Sequence, residues 1–245
     1  MLDVITPTWS APACVKAYST CRRGGVSENC YASLNLGAHV GDKNENVLAN
    51  RQLLEKSLSL PGSPVWLQQV HGIKAIELTT TTRKDAQADA SYTKLKNKVC
   101  AIMTADCLPV LLCNRQGSQV AAVHAGWRGL AAGVIESTLD AMGETPQNIL
   151  AWLGPAIGPQ SFEVGTDVIE AFVSEHAAAE QAFVMTSPAT WLADMYTLAR
   201  QRLKRKGVNE ISGGGFCTYQ DKARFFSYRR DGVTGRMATL IWIEA

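Results

Sequence analysis

The most apolar stretch of the chain, residues 99–113, is interrupted at Asp106 and Pro109. A membrane-spanning helix needs about 20 consecutive apolar residues, so this stretch reads instead as two short strands, 99–104 and 108–113. Ala105-Asp106-Cys107 is the polar bend between them. Residues 119–124 give a third strand, followed by a turn at Ala125-Gly126. A helix is then expected over 127–142, with Leu130, Val134, Ile135, Leu139 and Met142 along one side. This strand, turn and helix unit puts His124 at the turn and leaves Cys107 at the earlier bend.

Around that centre, short β-branched or aromatic segments alternate with helical patterns, and neither a repeat nor a low-complexity linker divides the chain. A helix is expected over 44–59, where Val47, Leu54 and Leu58 keep helical spacing, and Pro61-Gly62 ends it. Residues 64–71 and 73–78 read as strands separated at Gly72, which puts His71 at a strand end. Further on come a strand at 149–153, a Gly/Pro turn at 154–159, helices over 166–176 and 191–206, and closing strands at 224–228 and 237–243. The expectation is one mixed α/β domain spanning 1–245. A chain of 245 residues with 46% hydrophobic content can bury a large core unaided, so a metal would be present for chemistry.

The charge balance, 24 Lys+Arg against 22 Asp+Glu, calls for no nucleic-acid partner. The one dense basic run, Lys204-Arg205-Lys206, ends a helix, where cations suit the dipole. Seven cysteines without close pairs argue for a reducing compartment. The N-terminal segment has no basic start and no apolar core, so the expected location is the cytoplasm with no membrane partner. Nothing in the pattern specifies an oligomeric state.

Two of the four histidines, His71 and His124, stand beside glycines at expected strand ends. With Cys107 at its bend they make a donor set of two imidazoles and one thiolate, which suits a catalytic zinc with an open fourth position. Two ordinary turn histidines and a buried thiol are the competing reading. Asp106, next to the thiol, suits either ligand orientation and proton transfer or a cap on the bend. Arg128, in the first turn after His124, suits an anion or plain solvent exposure. Asn35, in Ser33-Leu34-Asn35-Leu36-Gly37, suits either a base or ribose contact or a turn. Arg229, Arg230 and Arg236 form a basic cluster near the end of the chain.

Gln69-Val70-His71-Gly72, Thr104-Ala105-Asp106-Cys107-Leu108-Pro109-Val110 and Val123-His124-Ala125-Gly126-Trp127-Arg128-Gly129 together resemble the three signatures of the laccase-domain, or multicopper polyphenol oxidoreductase, family. The likeness continues through 22–27, 33–42, 50–51, 154–159 and 225–236. Cys21 departs from it, standing where Ser or Thr is commoner, and so does Gln160-Ser161-Phe162, which replaces a cysteine-rich stretch. The resemblance implies zinc ligation by His71, Cys107 and His124. It also implies an α/β sandwich of mixed sheets flanked by helices, similar to the catalytic domain of cytotoxic necrotizing factor toxins. Asp106, Arg51 and Arg128 become catalytic candidates, with Arg51 the best placed for phosphate, and Asn35 and Arg22 become substrate contacts.

The implied activity is zinc-dependent purine nucleoside phosphorolysis together with adenosine deamination, so the partners are a purine nucleoside and phosphate. Editing of peptidoglycan precursors at a muramyl amide is the alternative enzyme reading, and a non-catalytic zinc or copper protein is the alternative outside enzymes. Adventitious Cu2+ would bind such a site well, but a multicopper centre would be left with only His39 and His176 as further imidazoles.

Overall fold

The bend at 105–107 carries the chain from one β-sheet to another. In the computed structural model, which describes residues 2–82 and 85–245, Cys100–Thr104 is an edge of a four-stranded antiparallel sheet. Its order is Val4–Ile5, Val15–Thr20, Met237–Ile243, Cys100–Thr104. Leu108–Asn114 lies within a six-stranded mixed sheet ordered Glu210–Gly213, Ile149–Leu153, Leu108–Asn114, Val120–Ala125, Ala90–Thr93, Ala75–Glu77. The two outer pairs of that sheet are parallel and the inner ones antiparallel. A small third sheet joins Phe183–Ser187, Thr190–Ala193 and Glu163–Gly165.

Side chains alternate across a strand, and here the alternation builds four layers. Leu111, Cys113, Val120, Ala122, Leu150 and Trp152 face Val15, Ala17, Cys100, Ile102, Ile241 and Ile243 between the two large sheets. Leu108, Val110, Leu112, Ala121, Val123 and Leu153 face the other way, onto Leu130, Val134, Ile135, Leu139, Leu198 and Leu203 of the helices. The outer face of the four-stranded sheet packs Ala101, Ala238, Leu240 and Trp242 against Leu34, Leu36 and Leu54. The fold is thus the expected sandwich of sheets flanked by helices. Each buried Leu or Ile adds roughly 1.5–3 kcal/mol of burial energy.

Several elements differ from the sequence expectation. Residues 64–71 pair only through isolated bridges, Val65 with Cys100 and Gln68 with Gln87, because polar side chains take over the pairing near His71. The helix expected over 127–142 is two, Trp127–Ala132 and Val134–Met142, broken where Gly133 adopts φ +99°. Residues 190–193 form a strand, and the helix starts only at Met195, where Asp194 accepts hydrogen bonds from the N–H groups of Tyr196 and Thr197. Residues 224–227 are no strand. Phe225 and Phe226 are buried there, and Ser227 caps the short helix Tyr228–Asp231. Among the described residues no helix is long and apolar enough to cross a membrane.

Candidate metal centre

Pairing of Leu108 with Ala125 and of Pro109 with His124 sets the geometry of the site. Continued by one residue, that register puts Cys107 opposite Gly126. A Cβ on Gly126 would lie 3.2 Å from the Cys107 Sγ and 2.6 Å from the His71 ring, so only glycine lets thiol and imidazole close over this point. Gly129 does the same one helical turn later, where the carbonyl of Gly72 packs 2.8 Å from its missing Cβ. The Gly126-x-x-Gly129 spacing therefore seats the short helix directly against the His71-Gly72 turn.

His71 is presented by a bend in which it adopts φ +61°. The chain before it is held by a side chain standing in for a strand: the Gln69 amide donates to the Met103 carbonyl at 2.8 Å and accepts from its N–H at 2.7 Å. Asp89, wholly buried, fixes the rest. Its carboxylate accepts from the N–H groups of His71 (2.8 Å) and Gly72 (2.7 Å) and from Nδ1 of His124 (2.9 Å).

The ligand atoms of His71, Cys107 and His124 lie within 4.8 Å of one another, and His71 Nε2 is 3.7 Å from the Cys107 Sγ. Two ligands at about 2.0–2.3 Å on one tetrahedral zinc stand roughly 3.5 Å apart, so the trio fits one ion. With Nδ1 of His124 bonded to Asp89, its Nε2 is the nitrogen left for a metal. Burial alone would raise the Cys107 pKa, but the charge of His124 and hydrogen bonds from His124 and His71 outweigh it and lower the thiol to about 6. Burial opposes charge on His124, yet the Cys107 thiolate and the Asp89 carboxylate together raise its pKa. The two imidazoles thus favour the thiolate form of Cys107. Among the described residues it is the one group of three or more such side chains able to hold a metal.

The site opens into a cleft of about 540 Å³, lined also by His39, Gln69, Asp106, Trp127, Arg128, Phe162, Tyr228, Arg229 and Arg236. Arg128 is exposed and stacks over Trp127 at 4.3 Å, and Arg229 lies 5.2 Å over Phe162. Asp106 reaches the cleft wall, but its carboxylate is committed to Thr218 Oγ1 (2.6 Å), Ser227 Oγ (3.0 Å) and the Arg229 N–H (2.7 Å). It fastens residues 218 and 227–229 to the bend that carries Cys107.

Three of the expected contacts lie outside the cleft lining. Arg51 gives its guanidinium to the Leu36 carbonyl (3.1 and 2.8 Å) and stacks over Trp66 at 4.2 Å. Asn35 is fully buried, bridging Gly37, Asp42 and the Arg236 N–H. Arg22 donates to the Ala32 carbonyl at 3.0 Å, stacks on Phe226 and opens onto a separate surface pocket. Conversely, sequence reasoning missed Asp89 and assigned His39 no place in the cleft. A lone aspartate in Ala86-Gln87-Ala88-Asp89-Ala90 is itself a signal, since a carboxylate among small apolar residues tends to be buried and bonded.

Residues 16–244 match the family described as multi-copper polyphenol oxidoreductase laccase. The purine nucleoside phosphorylase YfiH of Shigella flexneri is 55% identical over 243 residues, covering 99% of this chain and all of that protein. A purine nucleoside phosphorylase of Pseudomonas aeruginosa is 52% identical, covering 98% of each. Among solved structures, a Neisseria meningitidis protein superposes with a TM-score of 0.94 at 47% identity, covering 99% of both chains. YlmD of Geobacillus stearothermophilus gives 0.87 at 30%, covering 95% of this chain and 93% of that one.

Proposed function

The chain belongs to the multi-copper polyphenol oxidoreductase laccase family, and on that premise we propose that it is a zinc-dependent purine nucleoside phosphorylase. It cleaves adenosine or inosine with phosphate to the free base and ribose 1-phosphate, and it deaminates adenosine at the same site. The names carried by its relatives support the first activity. The observation that carries the reading is a single cleft combining His71, Cys107 and His124 with three guanidinium groups and three aromatic rings. An anion and a flat, partly apolar base both find partners there.

Arg236 is the inner cation. Burial lowers its pKa first and the nearby Cys107 and Asp106 raise it, which marks its guanidinium as close to the metal ligands. Its backbone N–H is held by Asn35 and one guanidinium nitrogen by the carbonyls of Thr234 and Gly235, so the rest of the fork faces the cleft. Arg128 and Arg229 extend the positive charge to the rim and Arg236 takes the phosphate in preference to Arg51, whose guanidinium bonds the Leu36 carbonyl. Trp127, Phe162 and Tyr228 supply faces for the purine. His39, whose pKa is lowered by burial and then by the charges of Arg236, Arg51 and His124, is neutral at pH 7 and able to accept or return a proton. Zinc, when bound, supplies Lewis-acid polarisation and lowers the pKa of water at the open position.

The test is turnover of adenosine and inosine by metal-quantified protein, with and without phosphate. Cleavage is expected to require phosphate, to yield ribose 1-phosphate and to be lost in Cys107→Ala. Equal cleavage without phosphate makes the chain a nucleoside hydrolase instead. Turnover of a muramyl-peptide amide with no nucleoside cleaved overturns the reading in favour of cell-wall editing.

A further inference from the structure

We propose that Asp89 is the positioning residue of the metal centre, coupling both histidines to one carboxylate so that neither can move without the other. The inference deepens the metal reading above and rests on it. Asp89 immediately precedes the strand Ala90–Thr93 and is 0% exposed. Its main-chain carbonyl accepts the backbone N–H of His124 at 2.7 Å while its Oδ1 receives Nδ1 of the same residue at 2.9 Å. Backbone and ring of His124 are therefore both referred to Asp89. That second bond requires a proton on Nδ1 and leaves Nε2 as the free nitrogen facing the site.

The other half of the carboxylate's work is at His71. Three consecutive backbone N–H groups, those of Val70 (3.3 Å), His71 (2.8 Å) and Gly72 (2.7 Å), converge on it. Such convergence is a nest for an anion, and the anion is supplied by the protein. The nest forms because His71 sits at φ +61°, a left-handed conformation that L residues with a Cβ adopt only when something holds them there. Asp89 is what holds it. Without the carboxylate the turn has no reason to stay left-handed, and the His71 ring is no longer aimed at Cys107. Gly72 and Gly126 leave room for the arrangement, with Asp89 Oδ2 at 3.4 Å from the position of a Gly72 Cβ. They do not direct it.

Asp89→Asn is the test, read by three measurements. Zn2+ affinity of the metal-free protein, by competition with a chelator, is expected to fall about 10- to 100-fold. Amide hydrogen exchange at His71 and Gly72, measured without metal, is expected to speed at least about tenfold relative to the core strands. In the zinc-loaded natural protein, long-range 15N correlation is expected to show the proton of His124 on Nδ1. Leu139→Ala, a core change remote from the site, serves as the control for general destabilisation, with Zn2+ affinity unchanged. Unchanged Zn2+ affinity in folded Asp89→Asn overturns the proposal, as does a His124 proton found on Nε2. If the natural protein binds no Zn2+, the metal reading fails separately. The exchange rates then still decide whether Asp89 sets the turn, and unaltered rates overturn it.

Discussion

The Cys107 thiol shows how one residue's chemistry follows from its neighbours. At Cys21, Cys100 and Cys113 burial outweighs the nearby charges and pushes each thiol up to about 12. Cys107 meets His124 and His71, and its pKa falls to about 6 instead. A lowered pKa means the thiolate dominates above that value. Alkylation of Cys107 in metal-free protein should therefore rise through about pH 6 and level off by pH 7.5, while those three thiols stay unmodified. Mass spectrometry of iodoacetamide-treated protein across pH checks this, and a Cys107 midpoint near the ordinary thiol value would refute the coupled pair. The arginines divide similarly. Arg236→Ala should raise KM for phosphate at least tenfold, whereas Arg51→Ala should leave that KM near its original value. Its cost falls on stability, roughly 1–3 kcal/mol, because the Leu36 carbonyl loses a charge-assisted partner. Steady-state kinetics with varied phosphate, beside urea unfolding, separates the two. The turn positions of His71, Cys107 and His124 only suggest a ligand set, and the likeness of their three segments to the family signatures singles them out. Asp89 is less legible: its small apolar neighbours hint at burial, but its partners, the N–H groups of residues 70–72 and the His124 ring, lie 17–35 residues away.

At the scale of elements, two glycines near the same helix do different work, and substitution should tell them apart. Gly126→Ala places a methyl 2.6 Å from the His71 ring and 3.2 Å from the Cys107 Sγ. The ligands must part, so Zn2+ affinity should fall at least about tenfold with little change in the fold. Gly133 ends the first short helix at φ +99°, and only the Glu136 carboxylate, at an ordinary 3.6 Å, lies near its Cβ position. Gly133→Ala should cost roughly 1–2 kcal/mol of stability through left-handed strain, leaving Zn2+ affinity intact. Chelator competition and urea unfolding on both variants give the answer, and loss of affinity in Gly133→Ala would tie the helix break to the site. This break also explains a misread element. Apolar spacing from Leu130 to Met142 runs through Gly133 undisturbed, so periodicity alone joins what a backbone angle divides. The strands that periodicity did find, such as Leu108–Asn114 and Ile149–Leu153, are apolar on both faces. Those missed, including Val15–Thr20 and Glu210–Gly213, pair at or near sheet edges and carry lysine, serine, glutamate or glycine.

For the molecule as a whole, the question is whether the metal holds the fold or only uses it. The helix and sheet layers close over four apolar clusters, none of which includes His71, Cys107 or His124. His124 lies near the end of Val120–Ala125, Cys107 at the bend where the chain passes between sheets, and His71 in a bend outside the strands. That the two long apolar strands belong to different sheets was not readable from their sequence, because pairing partners such as Met237–Ile243 lie more than a hundred residues away. A core so independent of the site should survive loss of the ion. Stripping zinc with a chelator should leave the far-UV spectrum unchanged and the melting transition cooperative. The midpoint should drop by about 5–10 °C, from a binding contribution of about 2.7 kcal/mol at a hundredfold excess over Kd and roughly 2–4 °C per kcal/mol in a domain of this size. Cys107→Ala should melt like the stripped protein, since it removes a ligand and strands no buried charge. His124→Ala should melt lower still, because Asp89 then keeps its charge in the interior without the imidazole that shared it. Scanning calorimetry of the four forms, natural, stripped and both variants, reads the order directly. A stripped protein with no cooperative transition would mean that the ion is structural, and the open-site chemistry proposed for it would lose its foundation.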